Sequence, residues 1–147
     1  MASRFTIRTR VARPVSEVFD AVRDPRKLSR YFTVGGASAP LTEGAVVTWS
    51  FREDSSHRFP VRVRRVIPNR RISFEWGTNG TRHTTRVEFR FVRVGRSATL
   101  VRISESGWKT TPAERKSSYD NCAGWMQMAC CLKAFVEYGI NLRKDAY

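Results

Sequence analysis

The stretch that decides the fold is residues 121–139, NCAGWMQMACCLKAFVEYG, which reads as one long apolar helix. The chain before it reads almost entirely as β-strands. A long helix after a run of half-buried strands is expected to cover the apolar face of the sheet that those strands form. Where helix and sheet do not interdigitate fully, a cavity remains between them, so a pocket is the leading functional expectation.

The ends of this helix carry recognisable signals. Thr111-Pro112-Ala113-Glu114 matches a capping box with proline at the first helical position, so the helix begins either there or after a break at Ser117-Ser118. Gly139 predicts its end. Gly124, in the interior, costs about 1 kcal/mol relative to alanine, and a close approach of the backbone to the sheet or to a ligand would explain it.

Alternation of apolar and polar residues predicts six or seven antiparallel strands joined by short turns. The alternating stretches are residues 4–11, 45–51, 59–66, 72–76, 87–91 and 99–103. Arg64-Arg65-Val66 breaks the alternation of the third stretch, as a β-bulge would. Turns are expected at residues 53–57 and 77–80.

Two short helices are expected between the first two strands. Pro14 opens one that runs to about Val22, and Asp24-Pro25 ends it. The second is expected at residues 26–32, and a loop follows at residues 35–40.

The composition is that of an ordinary globular protein. The 147 residues are 41% hydrophobic and 12% aromatic, which predicts one domain over residues 1–147. No apolar run approaches the roughly 20 residues that span a bilayer, and the N-terminus lacks a signal-peptide core, so a cytoplasmic protein is expected. Three cysteines, all in the final helix, make no disulfide framework.

The net charge of +14 at pH 7 comes mostly from arginine. Arg62, Arg64, Arg86, Arg90 and Arg93 alternate with apolar residues along the predicted strands, which indicates a solvated outer sheet face. Because this is the pattern of a sheet face rather than of a groove, nucleic acid is not expected as a partner. An acidic protein partner stays open.

Several short motifs resemble the START-like (SRPBCC) superfamily and, within it, the domain family named after the activator of Hsp90 ATPase. Residues 12–25 resemble the family's opening pattern, and residues 63–76 are similar to its central one. Glu105-Ser106-Gly107-Trp108 and Gly124-Trp125, with Glu137-Tyr138-Gly139, are similar to its closing pattern.

Tyr31 stands where the family has an aromatic residue, usually tryptophan. The sequence departs from the family pattern at two positions. Arg62 replaces a glycine and Arg65 replaces a common acid, so the strand that carries them differs in charge from the family pattern.

The resemblance covers essentially the whole chain and implies an α+β helix-grip (START-like) fold. In that fold a curved antiparallel sheet of six or seven strands wraps on the long C-terminal helix, with two short helices after the first strand. The resemblance also implies a cavity between sheet and helix. It implies no one reaction, since family members bind varied apolar ligands or assist chaperones.

The predicted cavity would be lined by inward-facing side chains of the strands and by the helix, although the same residues would serve equally well as plain core. Candidate ligand-binding residues are Trp49, Phe51, Val63, Phe74, Trp76, Phe89, Phe91, Trp125, Met128 and Leu132. Candidate polar residues at the cavity or its rim are Tyr31, His83, Arg102, Glu105 and Tyr119.

Catalytic and metal chemistry find little support in the sequence. His57 and His83 stand in polar hairpin regions without the signature of a base–nucleophile pair. No metal-binding spacing and no phosphate-cradling glycine loop occurs. No catalytic residue, metal or cofactor is therefore predicted.

Three functions stay open. The first is an intracellular carrier or sensor of a small hydrophobic ligand, neutral or anionic, held between sheet and helix. The second is a chaperone-associated or other protein-interaction module that uses the basic surface. The third is a cofactor-free cyclase or hydrolase. The sequence allows a monomer or a homodimer.

Overall fold

The computed structural model describes residues 3–54, 57–77 and 83–146. Within them the chain forms seven strands and three helices in the predicted order. Their bounds are β1 Ser3–Val11, α1 Val15–Arg23, α2 Pro25–Leu28, β2 Gly36–Ala37, β3 Val46–Ser50, β4 Arg58–Ile67, β5 Arg71–Gly77, β6 Thr84–Val94, β7 Ala98–Trp108 and α3 Pro112–Tyr138. The turns predicted at residues 53–57 and 77–80 lie partly outside the described residues.

The strands form one antiparallel sheet in the order β1-β7-β6-β5-β4-β3-β2. The edge strands β1 and β2 do not pair with each other, so the curved sheet stays unclosed. This architecture, with α3 as the long C-terminal helix, confirms the predicted helix-grip fold.

The two-residue strand β2 lies where the sequence predicted only a loop. It pairs with the end of β3, and the backbone N–H of Gly35 donates to the carbonyl of Ser50 at 3.0 Å. A Cβ atom at Gly35 would lie 2.0 Å from the carbonyl oxygen of Arg52. Glycine is therefore needed here for close backbone approach, a role that sequence pattern does not separate from that of a turn glycine.

The predicted bulge in β4 is confirmed. The register with β5 shifts between Val63 and Arg65, so that Val63 lies opposite Phe74 and Val66 opposite Ile72. The extra residue lets valines on both sides of the bulge pack on the same face of the sheet.

The first short helix forms as predicted, but the second is shorter than residues 26–32. The side chain of Asp24 caps α2 by accepting a hydrogen bond from the backbone of Arg26 at 2.9 Å. After α2, the carbonyl of Leu28 accepts from the backbone N–H groups of Phe32 at 2.9 Å and of Thr33 at 3.2 Å. This turn ends the helix and leaves Phe32 buried in the core.

The long helix α3 begins at the earlier of the two starts that the sequence left open. The hydroxyl of Thr111 accepts a hydrogen bond from the backbone of Glu114 at 3.2 Å, as a capping box requires. Gly139 ends the helix in the left-handed conformation, with φ 67°. Among the described residues, no helix is both long and apolar enough to cross a membrane.

The sheet has two chemically distinct faces. The inner face packs against α3, and the outer face carries the arginines of the alternating pattern. Buried residues of the inner face are Val47, Val61, Val63, Ile72, Phe74, Val87, Phe89, Phe91, Val101 and Ile103, and they meet Trp125, Met128, Ala129 and Leu132 of α3 in one core.

Candidate functional site

Glu105 is a charged residue on a mostly apolar inner face. Along β7 the side chains of Val101, Ile103 and Glu105 alternate with those of Arg102 and Ser104, which lie on the outer face. The period of two therefore turns a carboxylate toward α3. The side chain of Glu105 is fully buried.

Four side chains donate hydrogen bonds to the Glu105 carboxylate. Oε1 accepts from Nε1 of Trp125 at 2.9 Å and from Nδ2 of Asn121 at 3.1 Å. Oε2 accepts from Nε1 of Trp76 at 2.9 Å and from Oγ1 of Thr85 at 2.5 Å. Because the donors belong to β5, β6 and α3, this Glu105 network joins the sheet to the N-terminal half of the helix.

None of these donors is a cation. Burying an isolated carboxylate is costly, and here four neutral donors take the place of its hydration shell. A carboxylate offers about four acceptor positions, so the network uses essentially all of them. Glu105 is therefore arranged to hold its neighbours in place.

Two clefts lie between the sheet and α3 beside this network. Their volumes are about 170 Å³ and 180 Å³. Phe51, Trp76 and Asn121 line both, so the clefts adjoin each other. The first is completed by Phe59, Gly77, Trp108 and Ser117, and the second by Phe32, Asp120, Gly124, Trp125, Gln127 and Arg143.

Aromatic rings form most of the walls. The ring centroids of Phe32 and Phe51 are 4.9 Å apart, and those of Trp76 and Trp125 are 5.3 Å apart. Phe59 lies 6.1 Å from Trp76 in the first cleft. Walls of this kind with a few polar atoms are typical of small-molecule sites, which occupy about 300–1,000 Å³, so either cleft alone suits only a small group.

One residue that lines the first cleft carries a buried donor without a partner. Trp108 is 1% exposed, and its Nε1 has no hydrogen-bond partner within the described part of the chain. An unpaired buried N–H costs about 1–3 kcal/mol. Ser117 and Asn121 place further polar atoms at the same cleft.

The second cleft has a cation at its boundary. The guanidinium carbon of Arg143 lies 5.5 Å from the ring centroid of Phe32 and 5.9 Å from that of Phe51. Cation–π contacts of this length bring the segment after α3 back over the aromatic wall. Asp120 places a carboxylate at the same cleft.

The predicted ligand-binding residues divide into two groups. Phe51, Trp76 and Trp125 line the clefts. The others are buried in the core and line neither cleft; they are Trp49, Val63, Phe74, Phe89, Phe91, Met128 and Leu132.

The predicted polar rim residues do not come together. Tyr31 is buried, donates from its hydroxyl to the carbonyl of Ala21 at 2.9 Å, and has its pKa raised well above the usual value by burial. Arg102 lies on the outer face, because its register position in β7 is turned away from α3. Tyr119 is 68% exposed on α3.

His83 and Glu105 lie closer to the site. His83 Nε2 is 2.5 Å from the carbonyl oxygen of Gly107 and 3.4 Å from Oε1 of Glu114, near the start of α3. Neither His83 nor Glu105 lines a cleft, but the donors of Glu105 do. No group of three or more potential metal-ligating side chains occurs in residues 3–54, 57–77 and 83–146.

Cleft residues that the sequence did not single out as ligand-binding are mostly small, polar or distant along the chain. Gly77, Ser117 and Asn121 line the clefts, and so does Gly124, for which the sequence suggested a ligand as one of two explanations. At Gly124 an added Cβ would meet nothing within 4 Å, so close approach to the sheet does not explain this glycine. The remaining residues are Phe32, Phe59, Trp108, Asp120, Gln127 and Arg143, of which only the aromatic ones carried a signal, as inward or motif positions.

Solved structures with the same fold cover nearly the whole chain. Protein SSP2350 from Staphylococcus saprophyticus is 24% identical, with 96% of each chain covered and a TM-score of 0.80. Aha1 from Colwellia psychrerythraea, whose solution structure is that of a dimer, is 20% identical, with 93% of this chain and 98% of that chain covered and a TM-score of 0.76.

A third similar structure is DynU16, a protein of the dynemicin biosynthetic locus. It is 27% identical over 94% of this chain, with a TM-score of 0.81. The chain spans 48% of the length of DynU16. No curated protein matches the sequence significantly.

The family assignment rests on the sequence as well as on the fold. The family described as "Activator of Hsp90 ATPase homolog 1-like protein" matches residues 12–137. This range contains all three helices apart from the last residue of α3, together with both clefts except Arg143. The chain therefore belongs to the activator of Hsp90 ATPase homolog 1-like family of the START-like (SRPBCC) superfamily.

Proposed function

We propose that the protein binds a small hydrophobic molecule between the sheet and α3. The observation that carries the proposal is the pair of adjoining clefts, which share Phe51, Trp76 and Asn121. Aromatic walls provide a large apolar contact with a planar or branched ligand. A ligand that extends past Trp76 would occupy both clefts and reach the size of an ordinary small-molecule site.

Polar atoms at the two clefts restrict the ligand further. An oxygen acceptor on a ligand that reached Nε1 of Trp108 would satisfy a donor that has no partner within the described residues. Arg143 supports an anionic end group at the second cleft, and Asp120 weakens that preference. The ligand that fits best is therefore apolar along most of its length, with at least one acceptor.

The chemistry of the site favours binding over catalysis. The acceptor positions of Glu105 are used by Trp76, Thr85, Asn121 and Trp125, so the carboxylate has no position left for a substrate proton while the network is intact. We assign Glu105 the role of a positioning residue that holds the donors at the clefts. A cofactor-free cyclase or hydrolase stays an untested alternative.

Related proteins agree with a small-molecule role in one respect. DynU16 belongs to a biosynthetic locus, where proteins meet small organic molecules. We further propose that residues 1–147 act as one cytoplasmic domain, as a monomer or, like Aha1 from Colwellia psychrerythraea, as a dimer. The chaperone-associated role and the acidic protein partner stay predictions from the sequence.

The proposal is tested by native mass spectrometry of freshly purified protein, with identification of any molecule released on denaturation. The same preparations are titrated with 1-anilinonaphthalene-8-sulfonate, an apolar anionic probe, under native conditions. We expect either a defined adduct or saturable one-site binding of the probe. A clean apo mass together with no saturable probe binding would contradict the proposal.

A pair of variants locates the binding. Gly124→Leu places a side chain in the second cleft, where an added Cβ meets open space. Ala123→Leu adds the same side chain at the adjacent exposed position, which lines neither cleft. Loss of the adduct or of probe binding in Gly124→Leu alone supports the clefts, whereas equal binding in both variants places the ligand elsewhere.

A further inference from the structure

The outer face of the sheet carries a row of arginines that the cleft site does not use. Arg8 of β1 lies directly opposite Arg102 of β7, Arg102 opposite Arg90 of β6, and Arg90 opposite Arg71 of β5. Four guanidinium groups thus follow one another across four neighbouring strands. We call these four residues the arginine row.

Such an arrangement is unfavourable unless something offsets it. Like charges directly opposite each other on neighbouring strands destabilise a sheet. Glu88 offsets half of the row, since its carboxylate contacts Arg71 at 2.6 Å and Arg90 at 2.5 Å. Arg8 and Arg102, at the β1 end, form no ion pair within the described residues.

The unpaired half of the row borders a depression of about 590 Å³. It is lined by Arg4, Thr6, Arg8, Glu88, Arg90, Arg102 and Ser104. No apolar side chain is among them, and two hydroxyl groups lie between the guanidinium groups. This lining suits a strongly hydrated, highly charged group rather than the apolar ligand of the clefts.

We propose that this depression binds a ligand with closely spaced phosphate groups, such as a condensed phosphate. A phosphate group presents three or more acceptor oxygens and can accept from guanidinium and hydroxyl donors of neighbouring strands at once. The planar guanidinium group of arginine can also donate two hydrogen bonds to one phosphate, whereas the ammonium group of lysine acts only as a point charge. All four residues of the row are arginines.

Two other polyanions fit less well. A carboxylate has only two oxygens and is satisfied by one guanidinium fork, so an acidic peptide would leave the hydroxyls of Thr6 and Ser104 unused. Single-stranded nucleic acid is held largely by stacking of its bases on aromatic side chains, and the lining of the depression contains none. The clustered donors therefore favour consecutive phosphates.

The site is independent of the clefts. Ser104 and Glu105 are neighbours in β7 but point to opposite faces, Ser104 to the depression and Glu105 to the network beneath α3. Failure of hydrophobic-ligand binding would leave this inference untouched, and the reverse also holds.

The test is isothermal titration of the full chain with inorganic tripolyphosphate at physiological ionic strength. We expect saturable binding that weakens at least about tenfold in Arg8→Gln/Arg102→Gln, because two charge-assisted contacts are lost. The matched control is Arg62→Gln/Arg65→Gln, which removes the same charge from the β4 end of the same face. An equal loss of tripolyphosphate affinity in both double variants would mean that binding depends only on net charge, and would contradict the proposed site.

Competing ligands decide the chemistry. Hexaglutamate and a short single-stranded DNA oligonucleotide are titrated in the same buffer. Weaker binding of both than of tripolyphosphate supports the phosphate site. Tighter binding of hexaglutamate would indicate an acidic protein partner instead, tighter binding of the oligonucleotide would indicate nucleic acid instead, and no binding of tripolyphosphate would refute the proposal.

Discussion

The two faces of the sheet are built from alternate residues of the same strands, yet they treat charge in opposite ways. On the inner face Glu105 is buried among four neutral donors. On the outer face Arg8 and Arg102 are exposed and lie opposite each other. The carboxylate of Glu105 is hydrogen-bonded within the protein and therefore positions its donors. The guanidinium groups of Arg8 and Arg102 are left to interact with solvent or with a ligand.

The largest effect is expected from removing the inner carboxylate. Glu105→Ala leaves the indole N–H groups of Trp76 and Trp125 and the polar groups of Thr85 and Asn121 without their acceptor. Each buried donor left without its acceptor costs about 1–3 kcal/mol, so we expect the free energy of unfolding to fall by at least about 3 kcal/mol, measured by urea denaturation followed by circular dichroism. Glu105→Gln keeps one acceptor oxygen and should lose less.

The outer face supplies the control for that experiment. Glu75 pairs with Arg64 at 2.8 Å and with Arg86 at 3.4 Å, and its side chain is 20% exposed. Glu75→Ala should cost about 1 kcal/mol or less, as partly exposed ion pairs do. Equal losses for the two alanine variants would show that the inner carboxylate is no more important than the outer one.

The next effect is a gain in stability at the edge of the second cleft. Gly124→Ala relieves the cost of a glycine within α3, and its new methyl group meets nothing within 4 Å. We expect a gain of about 0.5–1 kcal/mol in the free energy of unfolding, and a similar loss for Ala123→Gly at the neighbouring position. A loss in Gly124→Ala would mean that the open space beside this residue is needed for packing.

The sequence predicts the fold better than it predicts the residues that line the clefts. The fold follows from signals that act locally, such as the capping box at Thr111, Gly139 at the helix end and the alternation along residues 99–103. The bulge after Val63 was readable for the same reason. The strand β2 was not predicted because it depends on pairing with β3. The early end of α2 was not predicted either; there the carbonyl of Leu28 accepts from the backbone of Phe32 and Thr33 and turns the chain.

The clefts were less predictable because bulky inward residues line the clefts in some places and fill the core in others. Of the predicted residues of α3, Trp125 lines a cleft, whereas Met128 and Leu132 are fully buried. The helix also lines the clefts at the small or polar residues Ser117, Asn121 and Gly124, and this depends on how the helix packs on the sheet. Spacing along the chain does not determine this packing.

A smaller effect is expected from reversing one charge of the arginine row. Arg102 lies opposite Arg8 and Arg90, so Arg102→Glu converts two like-charge pairs into two opposite-charge pairs. The unliganded protein should gain about 0.2–1 kcal/mol at low salt, and the gain should shrink as ionic strength rises. Thermal unfolding at two salt concentrations measures both. A loss of stability would mean that the row is not repulsive in the folded protein, and would remove the reason to expect an anion there.

The smallest effect is the contribution of Glu75, on the outer face, to stability at low pH. The hydrogen bond from Arg64 lowers the pKa of Glu75 below its ordinary value of 4.5. Because the folded pKa lies below the unfolded one, the unfolded chain binds more protons between the two values. The contribution of Glu75 is therefore complete above pH 4.5 and is lost as the pH falls through the lowered folded pKa.

Unfolding free energies measured from about pH 6 down to about pH 3 test this linkage. Glu75→Gln should flatten the decline, whereas Glu53→Gln, at an exposed acid with no ion pair within the described residues, should not. An identical slope in wild type and Glu75→Gln would mean that Arg64 and Glu75 are solvated separately. The outer face would then carry one more arginine without an ion pair. Its contrast with the inner face, where the Glu105 carboxylate is fully hydrogen-bonded, would be sharper.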